Sequence, residues 1–374
     1  MRTKLYFVLA AILVAAMVLS ACQPAPAPTA APIEPTAVPV EPTAVPPTAV
    51  PPPTEVPTEV PTAVPTPIPM VCDKLADAPT VEAGQWGAPD NPIVIAFVPS
   101  GDTGKITKAG TEIADCLGQM TGLAFEIEVG TSFAASIEAM GAQKAQVGFL
   151  NTFSVLLAEQ KYQVVPAIAV LRKYNTNAID PDAALAGQME PFYKGQFIAS
   201  VASGIKTYAD LKGKKFCFVD PNSTSGYIVP NIILKANGID TEVDLTIQNA
   251  GSHDAVAVAV YKGDCDAGVT YIDVLSDAAA KLPEKYPDIA EKVVAFQVTD
   301  KIPNDGVQYI KELDPKVQAV ITEGLLFMAS DPGGKAVLKA LYNINGYQAI
   351  DATFYDEFAA ILKAAGVDPA EMVK

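Results

Sequence analysis

Among 374 residues there is one histidine, one tryptophan and a charged fraction of only 18%. A single histidine rules out a zinc site built on a His pair and leaves room for at most one catalytic triad. Neither a G-x-S-x-G elbow nor a Cys-x-x-Cys pair marks a nucleophile, a redox centre or a metal site, and nothing in the pattern requires a cofactor. Ser100-Gly101-Asp102-Thr103-Gly104-Lys105 approaches a phosphate loop, but Pro99 replaces its first glycine and Ile106 replaces the Ser or Thr that would hold magnesium. Basic residues are scarce as well. Lys and Arg total 26 against 42 Asp and Glu, a formal charge of −16, and such a surface repels nucleic acid. These gaps argue for a binding protein over an enzyme.

What the chain does hold is unevenly spread. Arg2 and Lys4 precede an apolar run from Leu5 to Leu19, and Leu19-Ser20-Ala21-Cys22 follows. The basic start, short apolar centre and small residues form a secretory signal over residues 1–21. Leu-Ser-Ala-Cys resembles the bacterial lipoprotein signal, which implies lipidation of Cys22 and a body outside the cytoplasm. No later run reaches the ~18 apolar residues of a membrane span, so attachment to a membrane would come from the lipid alone.

Residues 23–70 carry 17 of the 32 prolines, in repeats such as Pro-Thr-Ala-Val-Pro, with four glutamates and no basic or aromatic residue. Such a segment cannot form a core. As polyproline II its 48 residues would reach roughly 150 Å, a spacer between the lipidated Cys22 and the body. The body, residues 71–374, exceeds what one core usually supports and is expected to form two lobes.

Two similar β-α-β-α-β runs support that division. Pro92–Val98 is an apolar strand. Ile106, Ala109, Ile113, Leu117 and Met120 recur at helical spacing, and a strand (124–129), a helix (132–142) and a strand (145–150) follow. The second run places strands at 215–219, 243–248 and 266–271, with helices at 226–237 and 252–261. Alternation of this kind gives α/β lobes with parallel sheets. Gln196–Ala202 and Val293–Val298 are the expected crossings, so lobe one takes 71–197, lobe two 198–300, and 301–374 returns to lobe one with three closing helices. In such sheets ligands sit beyond the carboxyl ends of the strands, which places a cleft between the lobes.

Several cleft segments carry polar groups of interest. Asp220-Pro221-Asn222-Ser223-Thr224-Ser225-Gly226-Tyr227 joins a strand to a helix; its hydroxyls and helix-start amides suit a tetrahedral oxyanion, although one serine would serve as a simple cap. Gly251-Ser252-His253-Asp254 opens the next helix and holds the only histidine, either a surface cap or an oxyanion donor. Asp273 and Asp305 are either loop and cap acids or partners for a ligand ammonium group.

Taken together, Ile95–Pro99 (IAFVP), Ile137-Glu138-Ala139-Met140, Leu211–Lys215, Val219–Pro230 (VDPNSTSGYIVP), Gly251–Ala255 (GSHDA) and Ile302–Asp305 (IPND) resemble the phosphate/phosphite/phosphonate-binding receptors of ABC importers. The resemblance runs from Asn91 to about Asp314. It implies the type II periplasmic binding protein fold, a two-lobed α/β body, and a monomeric receptor that hands its ligand to an ABC permease. It also implies that Ser223, Thr224, Ser225, Gly226 and His253 hold a phosphorus oxyanion and that acids at Asp273 and Asp305 meet a ligand amino group. Two family tyrosines are missing: Ser132-Phe133 stands for Asp-Tyr, and Asn151–Val155 (NTFSV) for Gly-Pro-x-Ser-Tyr. Thr131, Thr152 and Ser154 are the replacement donors to expect.

Four cysteines remain besides Cys22, and four allow three pairings. Cys217 lies on the first strand of lobe two and Cys265 precedes the third, its neighbour in a 2-1-3 strand order. The expected disulfides are therefore Cys217–Cys265 and Cys72–Cys116.

Overall fold

The apolar run at the start of the body forms β1 (Ile93–Phe97), whose side chains are buried on both faces as a central parallel strand requires. This computed structural model describes residues 68–277 and 280–369. The signal segment, Cys22 and nearly all of the proline-rich stretch lie outside the described residues. Helix α1 (Thr103–Thr121) follows β1; the Asp102 side chain caps it and Gly122, at φ 75°, ends it. Ile106, Ile113, Leu117 and Met120 form its buried stripe. β2 (Phe125–Val129), α2 (Phe133–Gly141), β3 (Val147–Leu150) and α3 (Thr152–Tyr162) come next. β1 pairs in parallel with both β2 and β3.

The first sheet runs β12-β4-β11-β3-β1-β2, with β5 (Met189–Glu190) on β4. β4 (Val165–Lys173), β11 (Gly306–Tyr309) and β12 (Gly346–Ala349) are antiparallel to their partners. The second sheet runs β10-β6-β9-β7-β8. Its parallel centre is β7 (Lys215–Phe218) between β8 (Thr246–Asn249) and β9 (Ala267–Tyr271), and β6 (Phe192–Ser200) and β10 (Val293–Pro303) are antiparallel. Each lobe thus has the expected 2-1-3 parallel centre, extended by antiparallel strands. The strand expected over 243–248 is displaced: Thr241–Asp244 forms a helical turn capped by Asp240, and only Thr246–Asn249 is strand.

Helices α4 (Val229–Ala236) and α5 (His253–Lys262) belong to lobe two. After β11, α6 (Pro315–Met328) and α7 (Pro332–Tyr342) pack on α1, and α8 (Asp356–Ala364) closes the described chain. Both expected disulfides are present. Cys72–Cys116 ties the start of the body to α1, and Cys217–Cys265 ties β7 to the residues before β9. Their spans of 44 and 48 residues correspond to about 4 kcal/mol each of loop-closure stabilisation.

The chain changes sheets outside the apolar runs that suggested the crossings. β5 still pairs with β4 in sheet one, and β6 and β10 remain paired in sheet two along their lengths, so the chain crosses at Pro191 and at Asn304-Asp305. Asn304 joins them. Its side-chain amide donates to the carbonyls of Val170 and Glu190 at 2.9 Å each, and its backbone amide donates to Pro191 at 2.8 Å. A fully buried Asn satisfied in this way fixes both connecting segments at one point.

Candidate functional site

The hydroxyl segment folds as one turn of π-helix, Thr224–Ile228, ahead of α4. Ser223 caps it: its Oγ accepts from the Gly226 amide at 3.2 Å. Glycine is needed at 226, because a Cβ there would lie 2.4 Å from the Val219 side chain. Ser223, Thr224 and Ser225 are all buried. The Thr224 Oγ1 accepts from Asn151 Nδ2 at 2.8 Å and from the Phe153 amide at 2.9 Å. With both acceptor positions filled, its own hydrogen is free to be donated elsewhere. The Tyr193 hydroxyl donates to Ser225 Oγ at 3.2 Å, which leaves that serine's own hydrogen available to donate.

His253 is the first residue of α5 and is buried. Its Nδ1 accepts from the Tyr271 amide at 3.2 Å, and its Nε2 lies 3.5 Å from Ser223 Oγ. A backbone amide can only donate, so Nδ1 is bare and Nε2 carries the proton. Burial and then the Arg172 charge push the imidazole pKa down to about 3. His253 is therefore a neutral, oriented donor, which settles the choice of ionisation state that its sequence position left open.

The two lobes meet around these groups. His253 donates its backbone amide to Ser100 at 3.2 Å, and Asn151 Nδ2 donates to the Asn222 carbonyl at 2.9 Å. Between the lobes lies a cavity of about 110 Å³ lined by the hydroxyl turn, His253, Asn151 and Phe133, and by charged groups from both lobes.

Arg172, near the end of β4, is the only arginine of the body and was not singled out from the sequence. Its guanidinium donates to Asn304 Oδ1 at 2.7 Å, to Asp305 Oδ2 at 2.8 Å and to the Tyr342 carbonyl at 3.3 Å. It also lies over the Tyr193 ring, 5.6 Å from the centroid. Its composition signal, a lone guanidinium in an acidic body, was available.

Four more acids line the cavity: Asp102, which caps α1, and Asp254, Asp273 and Asp277. Burial and then the Asp277 charge raise Asp254 and Asp273 to about 6. Asp273 accepts from Asn175 Nδ2 and, at 3.4 Å, from Asn343 Nδ2. The Tyr271 hydroxyl donates to Asp277 at 3.0 Å. Asp254 and Asp277 were not chosen from the sequence, because one adjoins the histidine and the other follows a turn, with no spacing to mark them.

Ser223, Thr224, Ser225, His253, Asp273 and Asp305 all line the cavity, and Gly226 supports the turn beneath it. The replacement donors do not. Thr131 is exposed and outside the lining. Thr152 is fully buried and its hydroxyl donates to the Pro303 carbonyl at 2.6 Å, holding the end of β10. Ser154 is fully buried within α3, away from the lining. The residue that reaches the turn from lobe one is Asn151. Asp305 lines the cavity with its charge already matched by Arg172, which makes it a poor partner for a ligand ammonium group.

Two α/β lobes joined by two crossing segments, with a polar cavity between them, define a solute-binding receptor fold. Residues 95–355 match the family described as ABC transporter, phosphonate, periplasmic substrate-binding protein, and the chain belongs to that family. Its members are substrate-binding transport components, not enzymes. Among curated relatives, the Phosphate-import protein PhnD of Mycolicibacterium smegmatis is 28% identical over 188 residues, 48% of this chain and 54% of that protein. The Phosphonates-binding periplasmic protein of Escherichia coli is 30% identical over 162 residues, 42% of this chain and 46% of that one. The chain thus spans about half the length of the curated relatives it matches. PhnD1 of Prochlorococcus marinus, solved with methylphosphonate, shares the fold at a TM-score of 0.61 and 16% identity, covering 73% of this chain and 98% of that one. The binding component of a Pseudomonas aeruginosa ABC phosphonate transporter gives a TM-score of 0.60 at 19% identity, over 75% of this chain and 95% of that one. Among the described residues no helix is long and apolar enough to cross a membrane.

Proposed function

We propose that this protein is the lipid-anchored, extracytoplasmic solute receptor of an ABC importer and that its cleft captures a small phosphorus oxyanion, an organophosphonate before phosphite or phosphate. The observation that carries the reading is the hydroxyl turn at Ser223–Ser225 facing a histidine whose tautomer is fixed as a donor. Short, oriented, neutral donors in a closed cleft bind an oxyanion without a nearby free cation; hydrogen bonds to charged groups contribute ~1.5–3 kcal/mol each. The ligand closes the lobes by hinge motion about Asn304, and the closed monomer delivers it to a membrane permease.

The aspartates at the other side of the cavity support a ligand with an amino group. Asp254 and Asp273, both held partly protonated near neutrality, would ionise fully beside an ammonium. In this reading residues 1–21 are the lipoprotein signal, Cys22 the lipid anchor, 22–70 the spacer, and 71–191 with 304–374 the lobe that faces 192–303, a division set by the pairing of β6 and β10 and not at 197 and 300. Calorimetric titration with methylphosphonate, an amino-phosphonate, phosphite and phosphate tests it. Ser225→Ala should weaken the best ligand by roughly 10- to 150-fold. Unchanged affinity in a folded variant would place the ligand elsewhere.

A further inference from the structure

One residue that lines the cavity beside the hydroxyl turn, Asn151, carries a buried acceptor without a partner among the described residues. Asn151 caps α3 without a side-chain capping bond, lines the cavity and is buried to 7% exposure. Its Nδ2 donates to the Asn222 carbonyl and to Thr224 Oγ1, at 2.9 and 2.8 Å. A carbonyl can only accept, so the amide cannot be flipped, and the other atom, Oδ1, is a true acceptor. That Oδ1 is buried with no hydrogen-bond partner. Ser223, Thr224 and Ser225 each keep a hydroxyl hydrogen to give, but none of them makes a bond to Oδ1.

We infer that Asn151 reads the protonation state of the phosphorus group: its Oδ1 accepts a hydrogen bond from a P–O–H, so the site prefers the singly charged, monoprotonated oxyanion. The inference rests on the proposed function. A ligand with only acceptor oxygens would leave Oδ1 unsatisfied, whereas one with a single retained hydrogen satisfies it and still offers lone pairs to Ser223, Thr224, Ser225 and His253.

The charges around the cavity favour the same form. On the lobe-one side Asp102 and Lys105 come from α1, and Arg172 and Asp305 pair beside the hinge. On the lobe-two side Asp254 belongs to α5, and Asp273 and Asp277 follow β9. The titratable hydroxyls of Tyr193, Tyr271 and Tyr342 face the same space, and burial raises all three. Five carboxyl residues against two cations make a second negative charge on the ligand unfavourable.

The test compares methylphosphonate with methanesulfonate on the whole mature protein by competition calorimetry, below the second ionisation of methylphosphonate. Both probes are tetrahedral monoanions with one methyl group, and only the first has a hydrogen to give. Wild type should prefer methylphosphonate by about 10-fold or more. Asn151→Ala should bring the two affinities within about threefold of each other, while Asn151→Asp, which keeps an acceptor, should preserve or widen the preference. Loss of the Nδ2 bonds and titration of the aspartates act on both probes alike, so the ratio isolates the P–O–H contact. The wild-type ratio should also fall as pH rises through the second ionisation of methylphosphonate, and Asn151→Ala should flatten that fall. Equal affinities in wild type, or an undiminished ratio in Asn151→Ala, would overturn the inference and leave the proposed function standing. No binding of either probe or of inorganic phosphate to wild type, or full methylphosphonate affinity in Ser225→Ala, would overturn the proposed function and this inference with it.

Discussion

Replacing Arg172 by methionine removes the body's only guanidinium and strands Asp305 beside the hinge. Breaking a fully buried ion pair by deleting one partner costs roughly 3–5 kcal/mol. Here the two side chains retain 16% and 24% of their exposure, so water takes up part of the orphan charge, and about 2–3 kcal/mol is expected. Adding Asp305→Asn removes the stranded carboxylate, and the double variant should regain half or more of the loss. The bonds to Asn304 and Tyr342 account for the remainder. Four of the five guanidinium hydrogens are engaged with Asn304, Asp305 and Tyr342, so the expected role of Arg172 is to hold the hinge and neutralise Asp305 and not to carry the ligand. The double variant should therefore bind methylphosphonate within about threefold of wild type. Urea unfolding and calorimetric titration of the two variants measure both quantities. A double variant that folds well yet binds more than about 30-fold more weakly would show that the guanidinium contacts the anion, and a single variant as stable as wild type would show that the pair is not structural.

Three further outcomes follow from the same contacts. Asp254 ionises near 6 in the fold against an ordinary 3.8, so the folded state holds its proton longer than the unfolded chain. Ligand-free stability should fall by at most about 3 kcal/mol as pH rises from about 4 to about 6, and Asp254→Asn should abolish that part of the slope in thermal melts. His253 acts in the opposite sense: with its pKa depressed from 6.5 to about 3, it costs stability as pH falls through that window, and its donation to ligand should not strengthen in acid. A His253→Gln variant that kept the acid-side loss, or a histidine contribution to binding that grew in acid, would contradict the fixed neutral tautomer. Thr224→Val removes the acceptor for Asn151 and Phe153 and should shift ligand-free protein toward an open form, visible as a larger radius of gyration in solution scattering; an unchanged radius would deny the bridge its role in closure.

How much of this could be read from the sequence depends on whether each signal was local. β1 and α1 were legible because an unbroken apolar run and a 3-4 spacing each need only neighbouring residues. The disulfide pairing was legible because the strand order fixed which cysteines adjoin. β4, β11 and β12 were not found, since their hydrogen-bond partners lie more than a hundred residues apart and Gly306–Tyr309 is too short to show a period. α3 was missed because its first two turns are buried all round, which leaves no polar face to alternate with. The hydroxyl turn and His253 could be found as motifs. Arg172 could not be placed without knowing that β4 ends at the hinge. Thr131 and Thr152 were chosen by position alone, and the structure gives the lobe-one contact to Asn151, the residue standing at the family's glycine.

The central claim is that a phosphorus oxyanion sits between the Ser223–Ser225 turn and His253. A crystal structure of the protein with methylphosphonate tests it most directly. The account predicts the phosphorus within hydrogen-bonding reach of the three hydroxyls and of His253 Nε2, with the methyl group directed away from the turn. A ligand bound instead against Asp254 and Asp273, with the hydroxyl turn unoccupied, would contradict it.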